Sequence, residues 1–241
     1  MSCTLASWEW RIVSGTQTDG KESLRKPERN GIVSVALSFL RRPVDTIIRL
    51  TEARTYRGHW IFLATMLGAQ LLLVFALLPW LFSALFNIPD TSNSTASIIN
   101  ALIQYAAMVS LTPLQFYVCR ALGSVKQPPR AYVKLCALIV SFYALLSIVV
   151  ALLLFSTTVL TLKANLPLNL TAIWQASAIV TLGGVIAFIA ASHRRFWGMT
   201  WVIATSVTVV FASLSWLVVY PALAATAEKA NIAAILGRLF R

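Results

Sequence analysis

The long apolar stretches of this chain hold almost nothing that could do acid–base or ionic chemistry. Five stretches of roughly 30 residues contain no Asp, Glu, Lys or Arg, over residues 58–89, 91–119, 135–162, 164–193 and 196–227. Proton relays, ion sites and charged-substrate paths in membranes depend on such groups, because only a function justifies burying them. The sequence therefore predicts none of these three kinds of site.

Amides and two histidines are the polar groups that remain for a functional site. The amides are Gln70, Asn100, Gln104, Gln115 and Gln175. Side-chain amides within membrane helices more often form hydrogen bonds between helices than bind a ligand. His59 and His193 lie at the ends of apolar stretches, where a lone histidine is expected to serve as a polar anchor.

The chain carries none of the usual short catalytic motifs. It has no nucleophile elbow, phosphate loop, H-E-x-x-H or C-x-x-C. Cys3, Cys119 and Cys136 are too few and too scattered for a disulfide framework, and no histidine near them in sequence completes a metal site. We predict no catalytic residue, metal or cofactor, and no enzymatic activity. A membrane enzyme acting on lipid is a weaker alternative, which would need a cavity near His59 or His193.

The elements that must position these groups are membrane-spanning helices. A helix needs about 20 apolar residues to cross a bilayer, and each charge-free stretch is longer. We predict an all-α membrane protein with five spans, over about 60–86, 98–119, 133–161, 170–192 and 197–222. Pro79 and Pro113 are expected to kink the first two spans, and Gly183-Gly184 favours close helix packing in the fourth.

The segments outside the spans are short. Residues 1–30 are polar and show no helical periodicity, and we predict that they form a disordered cytoplasmic tail. They contain no continuous apolar stretch, so we do not expect a cleavable signal peptide. Residues 31–57 form amphipathic helices, with Pro43 opening the second helix and Asp45 paired with Arg49. This segment lies either in the headgroup plane or against the ends of the bundle. We predict that residues 228–241 form a short amphipathic tail.

The formal charge of +12 is concentrated outside the spans. This distribution suits anionic lipid headgroups, or an acidic membrane or cytoplasmic protein partner, better than nucleic acid. The candidate contacts are Arg41, Arg42, Arg49, Arg54, Arg57, Arg120, Lys126, Arg130, Arg194 and Arg195. By the positive-inside rule the N-terminus is cytoplasmic, the C-terminus lies outside, and the protein resides in the inner cell membrane.

Aromatic residues mark several predicted span ends, as expected of residues at the membrane–water interface. They are Trp60, Trp80, Tyr132, Trp174, Trp197 and Tyr220. The basic tail after Pro221 opposes the predicted orientation, because positive charge is disfavoured on the outer side. It could instead lie along the outer surface as an interfacial helix.

Three features together resemble the bacterial branch of the Yip1-domain family over about residues 33–226. A Pro-x-x-x-Ile-x-x-Leu helix with Pro43, Ile47 and Leu50 precedes the first span, and five spans follow. An Arg-Ala-Leu-Gly-Ser…Ala-Tyr loop joins Arg120 to Tyr132. The resemblance implies a five-span architecture with a cytoplasmic N-terminus. The Asp-Leu-Tyr-Gly-Pro-type motif of the eukaryotic members, which act in trafficking with small GTPases, is missing here.

Two functions follow as hypotheses. In the first, a non-enzymatic membrane protein organises lipid or partner proteins through its basic cytoplasmic face. In the second, the chain is a permease, or the membrane subunit of a transporter, for an apolar or neutral solute. The proline kinks and the amides of Gln104, Gln115 and Gln175 favour the second.

Overall fold

The fold is a bundle of long helices capped at one end by two short ones. The computed structural model describes residues 32–52, 58–87 and 94–229, and no strand occurs among them. Five helices in this part of the chain are long and apolar enough to cross a membrane: His59–Phe86, Ala96–Leu122, Pro129–Lys163, Leu170–Trp197 and Trp201–Lys229. The predicted all-α membrane protein with five spans is therefore confirmed.

Ten α-helices and two π-helical segments make up the described chain. They are α1 (Ile32–Arg41), α2 (Pro43–Glu52), α3 (His59–Leu72), a first π segment (Leu73–Leu77), α4 (Leu78–Phe86), α5 (Ser94–Ser110), α6 (Thr112–Leu122), α7 (Pro129–Lys163), α8 (Leu170–Trp197), α9 (Trp201–Leu214), a second π segment (Ser215–Val219) and α10 (Tyr220–Lys229). Several spans extend a few residues past the predicted bounds, because their first or last turns are polar yet still helical. The predicted start of the fifth span at 197 is wrong, since Trp197 ends α8 and the fifth span begins at Trp201. Glu228 and Lys229, assigned from sequence to the tail, complete α10.

The helix boundaries have local causes. Asn169 and Thr200 accept hydrogen bonds from the backbone amides of Ala172 and Ile203, which caps the first turns of α8 and α9. Gly198 ends α8 with a left-handed φ of 64° that favours glycine. Caps at both ends of this short connection fix where the fourth span stops and the fifth begins.

The helix α7 is central to the bundle, and its first half is the most buried part of the protein. Nearly every residue from Leu135 to Leu145 is shielded by other helices. α3 packs along α7, α8 packs along α9, and α2 crosses both α7 and α8. Packing is dense where α7 begins and sparse where it ends, so the two ends of the molecule differ in structure.

The helices α1 and α2 pack against the bundle, as in one of the two placements that the sequence allowed. Phe39 and Ile47 are fully buried, and the Phe39 ring stacks on Phe62 at 5.4 Å. Thr46 donates a hydrogen bond to the Ser38 carbonyl and ties the two helices together. The predicted Asp45–Arg49 pair is wrong, since the Asp45 carboxylate pairs with Arg195 at the end of α8.

Three of the spans are irregular within the membrane. The second span breaks at Leu111, so that Pro113 occupies the start of α6. Proline lacks the amide hydrogen that an uninterrupted helix would need there. Pro79 lies at the start of α4, directly after the first π segment. The fifth span contains the second π segment, and Pro221 follows its last residue by two positions, as Pro79 follows the first segment.

Two sequence expectations about packing are wrong. Around Gly183 and Gly184, no atom of a neighbouring helix comes within 4 Å of a Cβ built there, so these glycines mediate no close contact among the described residues. Tyr132 and Trp197 were expected at the headgroup level, but both are fully buried. Trp60, Trp80 and Trp174 are exposed, as residues at an interface would be.

Candidate functional site

The fold brings most of the charged helix ends to one end of the bundle. The end of α6, the start of α7 and the end of α8 meet there, and the cap of α1 and α2 packs on them. Within the described residues this end carries nine Lys and Arg residues against Asp45 and Glu52. The opposite end carries Lys163 and Lys229 against Glu228. We call the first end the basic face; its members are Arg41, Arg42, Arg49, Arg120, Lys126, Arg130, Lys134, Arg194 and Arg195.

Four arginines of the basic face point to solvent. Arg41, Arg42, Arg49 and Arg130 are exposed, and none forms an ion pair with another described residue. An unpaired, exposed guanidinium presents several donors in a fork that suits phosphate oxygens. These four are therefore the members best placed to contact an external anion. Arg54 and Arg57 lie outside the described residues.

The other predicted contacts are held by the protein itself. Arg195 pairs with Asp45, and the Lys126 ammonium donates to the Arg120 carbonyl at 2.6 Å, which caps the end of α6. The Arg194 guanidinium lies 4.8 Å from the centre of the Trp201 ring. The Arg120 guanidinium lies 5.8 Å from the Phe116 ring. Both cation–π distances are within the favourable range. Arg194 and Arg120 are therefore exposed to solvent but also contact an aromatic ring of the protein.

The loop between α6 and α7 is fastened to the end of α8. The Val125 amide donates to the Trp197 carbonyl at 3.0 Å, and the Ser124 hydroxyl donates to the Gly198 carbonyl at 2.9 Å. The Gln127 side chain donates to the Phe196 carbonyl. These bonds satisfy carbonyls that a helix end leaves without partners, and they fix the position of the basic loop.

A buried aromatic cluster lies beneath the basic face. Tyr132 and Trp197 have ring centres 5.6 Å apart, and Phe116 lies within 5.7 Å of both. Phe196 and His193 border the same Tyr132 ring. Tyr132 and Trp197 lie near helix ends, and this position in the sequence predicted that they would lie at the membrane–water interface. The cap of α1 and α2 and the fastened loop cover this end, and the rings are buried instead.

An intramembrane cavity of about 130 Å³ lies between the second, third, fourth and fifth spans. Most of its wall is aliphatic or aromatic. Its lining residues include Val109, Gln115, Leu182, His193, Thr208 and Trp216. Tyr143 and Leu182 lie near the middle of α7 and α8, whereas Gln115 and His193 lie toward the basic ends of the second and fourth spans, so the cavity extends from mid-span toward the basic face.

His193 belongs to this cavity and is not the interfacial anchor that its sequence position suggested. Its side chain is 1% exposed, and its Nδ1 lies 3.5 Å from the Thr208 hydroxyl. A signal for this position existed in the sequence. Leu182, Ile186 and Ile189 precede His193 at helical spacing and line the same cavity. The lipid-enzyme alternative required a cavity at one of the two histidines, and this one satisfies that requirement.

Two of the helix irregularities meet at the cavity. Leu111 and Thr112, at the break in the second span, line one side, and Ser215 and Trp216, which open the second π segment, line another. Breaks and π segments interrupt the regular pairing of backbone groups, and both recur at binding sites in membrane helices. Pro113 predicted the break in the second span, whereas the sequence analysis did not predict the second π segment.

The amides predicted to join helices divide into two kinds. Gln70 lies at a junction of spans, where it donates to the Ser147 hydroxyl at 2.9 Å and accepts a bond from the Tyr105 hydroxyl. Asn100 accepts a hydrogen bond from the Tyr220 hydroxyl. Gln115 lines the cavity, and its side-chain amide forms no hydrogen bond with another described residue. Gln70 and Asn100 therefore join helices, whereas Gln115 is available to a ligand.

Comparison with family models, curated proteins and solved structures finds no match to this chain.

Proposed function

We propose that this five-span membrane protein is non-enzymatic and organises anionic lipid at its basic face, which lies in the cytoplasm. The observation that carries the proposal is the concentration of exposed cations at one end of the bundle. The Yip1-domain resemblance belongs to the same proposal, because a helical segment before five spans is its pattern. A protein partner with an acidic surface is a further candidate for this face.

The charge asymmetry supports the orientation. Short connections rich in Lys and Arg stay in the cytoplasm, so the end with nine such residues is the cytoplasmic one. The first leaflet that these side chains meet is then the inner leaflet of the cell membrane, which carries anionic lipid. Attraction to that surface is worth about 1 kcal/mol for each Lys or Arg near it.

The basic face is held in place by contacts with the bundle. This supports a role in organising lipid, in addition to setting the orientation of the spans. α2 is packed on α7 and α8, and the Asp45–Arg195 pair and the fastened loop hold its neighbours. Arg42 and Arg49 therefore project from a fixed surface rather than from a mobile tail. Less conformational entropy is lost when a headgroup binds groups that are already ordered.

The experiment measures which lipids stay with the protein. We expect wild-type protein, purified from bilayers of mixed phosphatidylglycerol and phosphatidylcholine, to retain phosphatidylglycerol in excess of its share. A variant with Arg41→Gln, Arg42→Gln, Arg49→Gln and Arg130→Gln should lose most of that excess, because it removes the four unpaired guanidinium groups. Mass spectrometry of the retained lipids gives the ratio.

The matched control removes the cations of the opposite end. Lys163→Gln with Lys229→Gln should leave the retained ratio at the wild-type value. Equal ratios in wild-type and four-substitution proteins would refute lipid organisation by this face. A loss in the control as large as in the four-substitution variant would refute its location.

A further inference from the structure

We propose that the intramembrane cavity binds a neutral molecule dissolved in the bilayer, with an apolar body and one hydroxyl or carbonyl group. This inference is independent of the lipid contacts at the basic face. It rests on the size of the cavity, its opening toward lipid, and the kind of polar groups in its wall.

The volume sets the size of the ligand. The cavity measures about 130 Å³, close to the roughly 150 Å³ of an apolar cavity that takes up benzene. An empty space of this size forfeits the dispersion contacts of its lining, which a ligand would restore. The occupant is therefore a small ring or a short chain.

The rim sets the route of entry. Val109, Leu182 and Trp216 line the cavity and are also 49%, 56% and 42% exposed. They lie in the middle parts of their spans, where the surrounding solvent is hydrocarbon. A molecule enters sideways from the bilayer through this rim, so it must first dissolve in hydrocarbon.

The polar wall sets the chemistry of recognition. Among the described residues, no Asp, Glu, Lys or Arg lines the cavity, so a charged ligand would lack a counter-ion there. The Gln115 amide has no hydrogen-bond partner among the described residues and offers both donors and acceptors. The Thr208 hydroxyl already donates to the Ala204 carbonyl at 2.8 Å, which leaves it as an acceptor. One hydroxyl or carbonyl matches this set.

The buried histidine is the second observation that points to a ligand. His193 is enclosed by protein, yet its contact with Thr208 is 3.5 Å, longer than an ordinary hydrogen bond. A buried polar ring with so weak a partner is costly. A ligand hydroxyl in the cavity would supply a better partner from the side that the protein leaves open.

The experiment uses photolabelling of the full-length protein in phosphatidylcholine nanodiscs. The probes are a short-chain alcohol that carries a diazirine ring and the diazirine alkane of the same length. We expect both to form adducts on peptides that contain Leu182–Ile189 and Phe211–Trp216. Gln115→Leu should reduce labelling by the alcohol about threefold to tenfold, the effect of one hydrogen bond, and leave labelling by the alkane unchanged.

Two variants fill the cavity from different helices, so that a folding defect in one leaves the other informative. Ala212→Leu and Ile186→Phe enlarge lining side chains, and each should reduce labelling by both probes at least severalfold. Ala176→Leu makes the same enlargement as the first variant at an exposed position of α8 and should label as the wild type does.

Each contrary result overturns a stated part of the proposal. Unchanged labelling in both filled variants, or an equal loss in Ala176→Leu, would show that the probes do not bind in the cavity. An equal effect of Gln115→Leu on the two probes would refute recognition of a polar group. Competition by added phospholipid, at constant probe concentration in the bilayer, would assign the cavity to an acyl chain instead of a free molecule.

Discussion

At the residue scale, Gly123 permits a close approach between two stretches of backbone. A Cβ built on Gly123 would lie 2.7 Å from the Trp197 carbonyl oxygen and 2.9 Å from that of Cys119. Both contacts are with backbone atoms, which cannot rotate away as a side chain can. The absence of a side chain at Gly123 thus lets the loop before α7 reach the end of α8, and the same contact positions the basic face.

We expect Gly123→Ala to destabilise the protein by about 1–3 kcal/mol, the usual cost of forcing an extra carbon into a packed site. The unfolding midpoint of detergent-solubilised protein measures this. Gly183→Ala is the matched control, since nothing lies within 4 Å of the new carbon. It should be neutral or stabilising, because alanine favours helix over glycine by about 1 kcal/mol. Equal losses in the two variants would contradict the assigned role of Gly123.

At the element scale, α1 and α2 behave as part of the bundle even though they are too short to cross a membrane. Each has ten residues and a strongly one-sided pattern of apolar residues. The apolar side of α2 is buried against α7 and α8. Phe39 of α1 contacts Phe62 and Phe142. A helix in the headgroup plane would bury the same side in lipid, so periodicity alone cannot distinguish the two placements.

We expect Phe39→Ala to loosen the cap, because removing a fully buried phenylalanine costs about 3–5 kcal/mol in a packed core. Hydrogen exchange in α1 and α2 should accelerate strongly while α7 stays protected. Leu37→Ala, at an exposed position of the same helix, should leave the exchange of both helices as in the wild type. If both substitutions accelerate exchange alike, the two helices lie in lipid and not on the bundle.

At the scale of the whole molecule, the two ends differ in charge and in packing together. The basic face covers a dense region in which the aromatic cluster and the first half of α7 are buried. Toward the other end the helices are flanked by exposed leucine, valine and isoleucine side chains. Exposed apolar surface of this kind is stable only in lipid, where it costs nothing to leave it uncovered.

The permease hypothesis stays a prediction, for which the cavity would be the solute site.

We expect the loop after α6 and the loop after α7 to face opposite sides of the membrane. In a variant with Cys3→Ser, a cysteine at Val125 should react with an impermeant maleimide only in inverted vesicles. A cysteine at Leu166 should react in spheroplasts. Both positions are exposed. Cys119 and Cys136 lie within spans, so the parent protein with Cys3→Ser alone is the control. Reaction of both new cysteines from one side would exclude a five-span path.

The amino-acid sequence by itself determined the number of spans, because the cost of placing a charge in hydrocarbon is a local property of each stretch. It also placed the basic residues at or beyond the ends of the spans and, through Pro113, the break in the second span. Which arginines remain free depended on the tertiary structure. Arg195 meets Asp45, 150 positions earlier in the chain, and no local pattern predicts such a contact.

The cavity shows the same division. Its amide and histidine were recognised in the sequence as polar groups, but His193 was assigned to the interface because it lies near the end of an apolar stretch. Only the packing of α8 against α9 turns its ring inward toward Thr208. Position along a helix follows from counting residues, whereas the direction of a side chain depends on which neighbouring helix covers it. That choice is made by contacts between residues far apart in the chain.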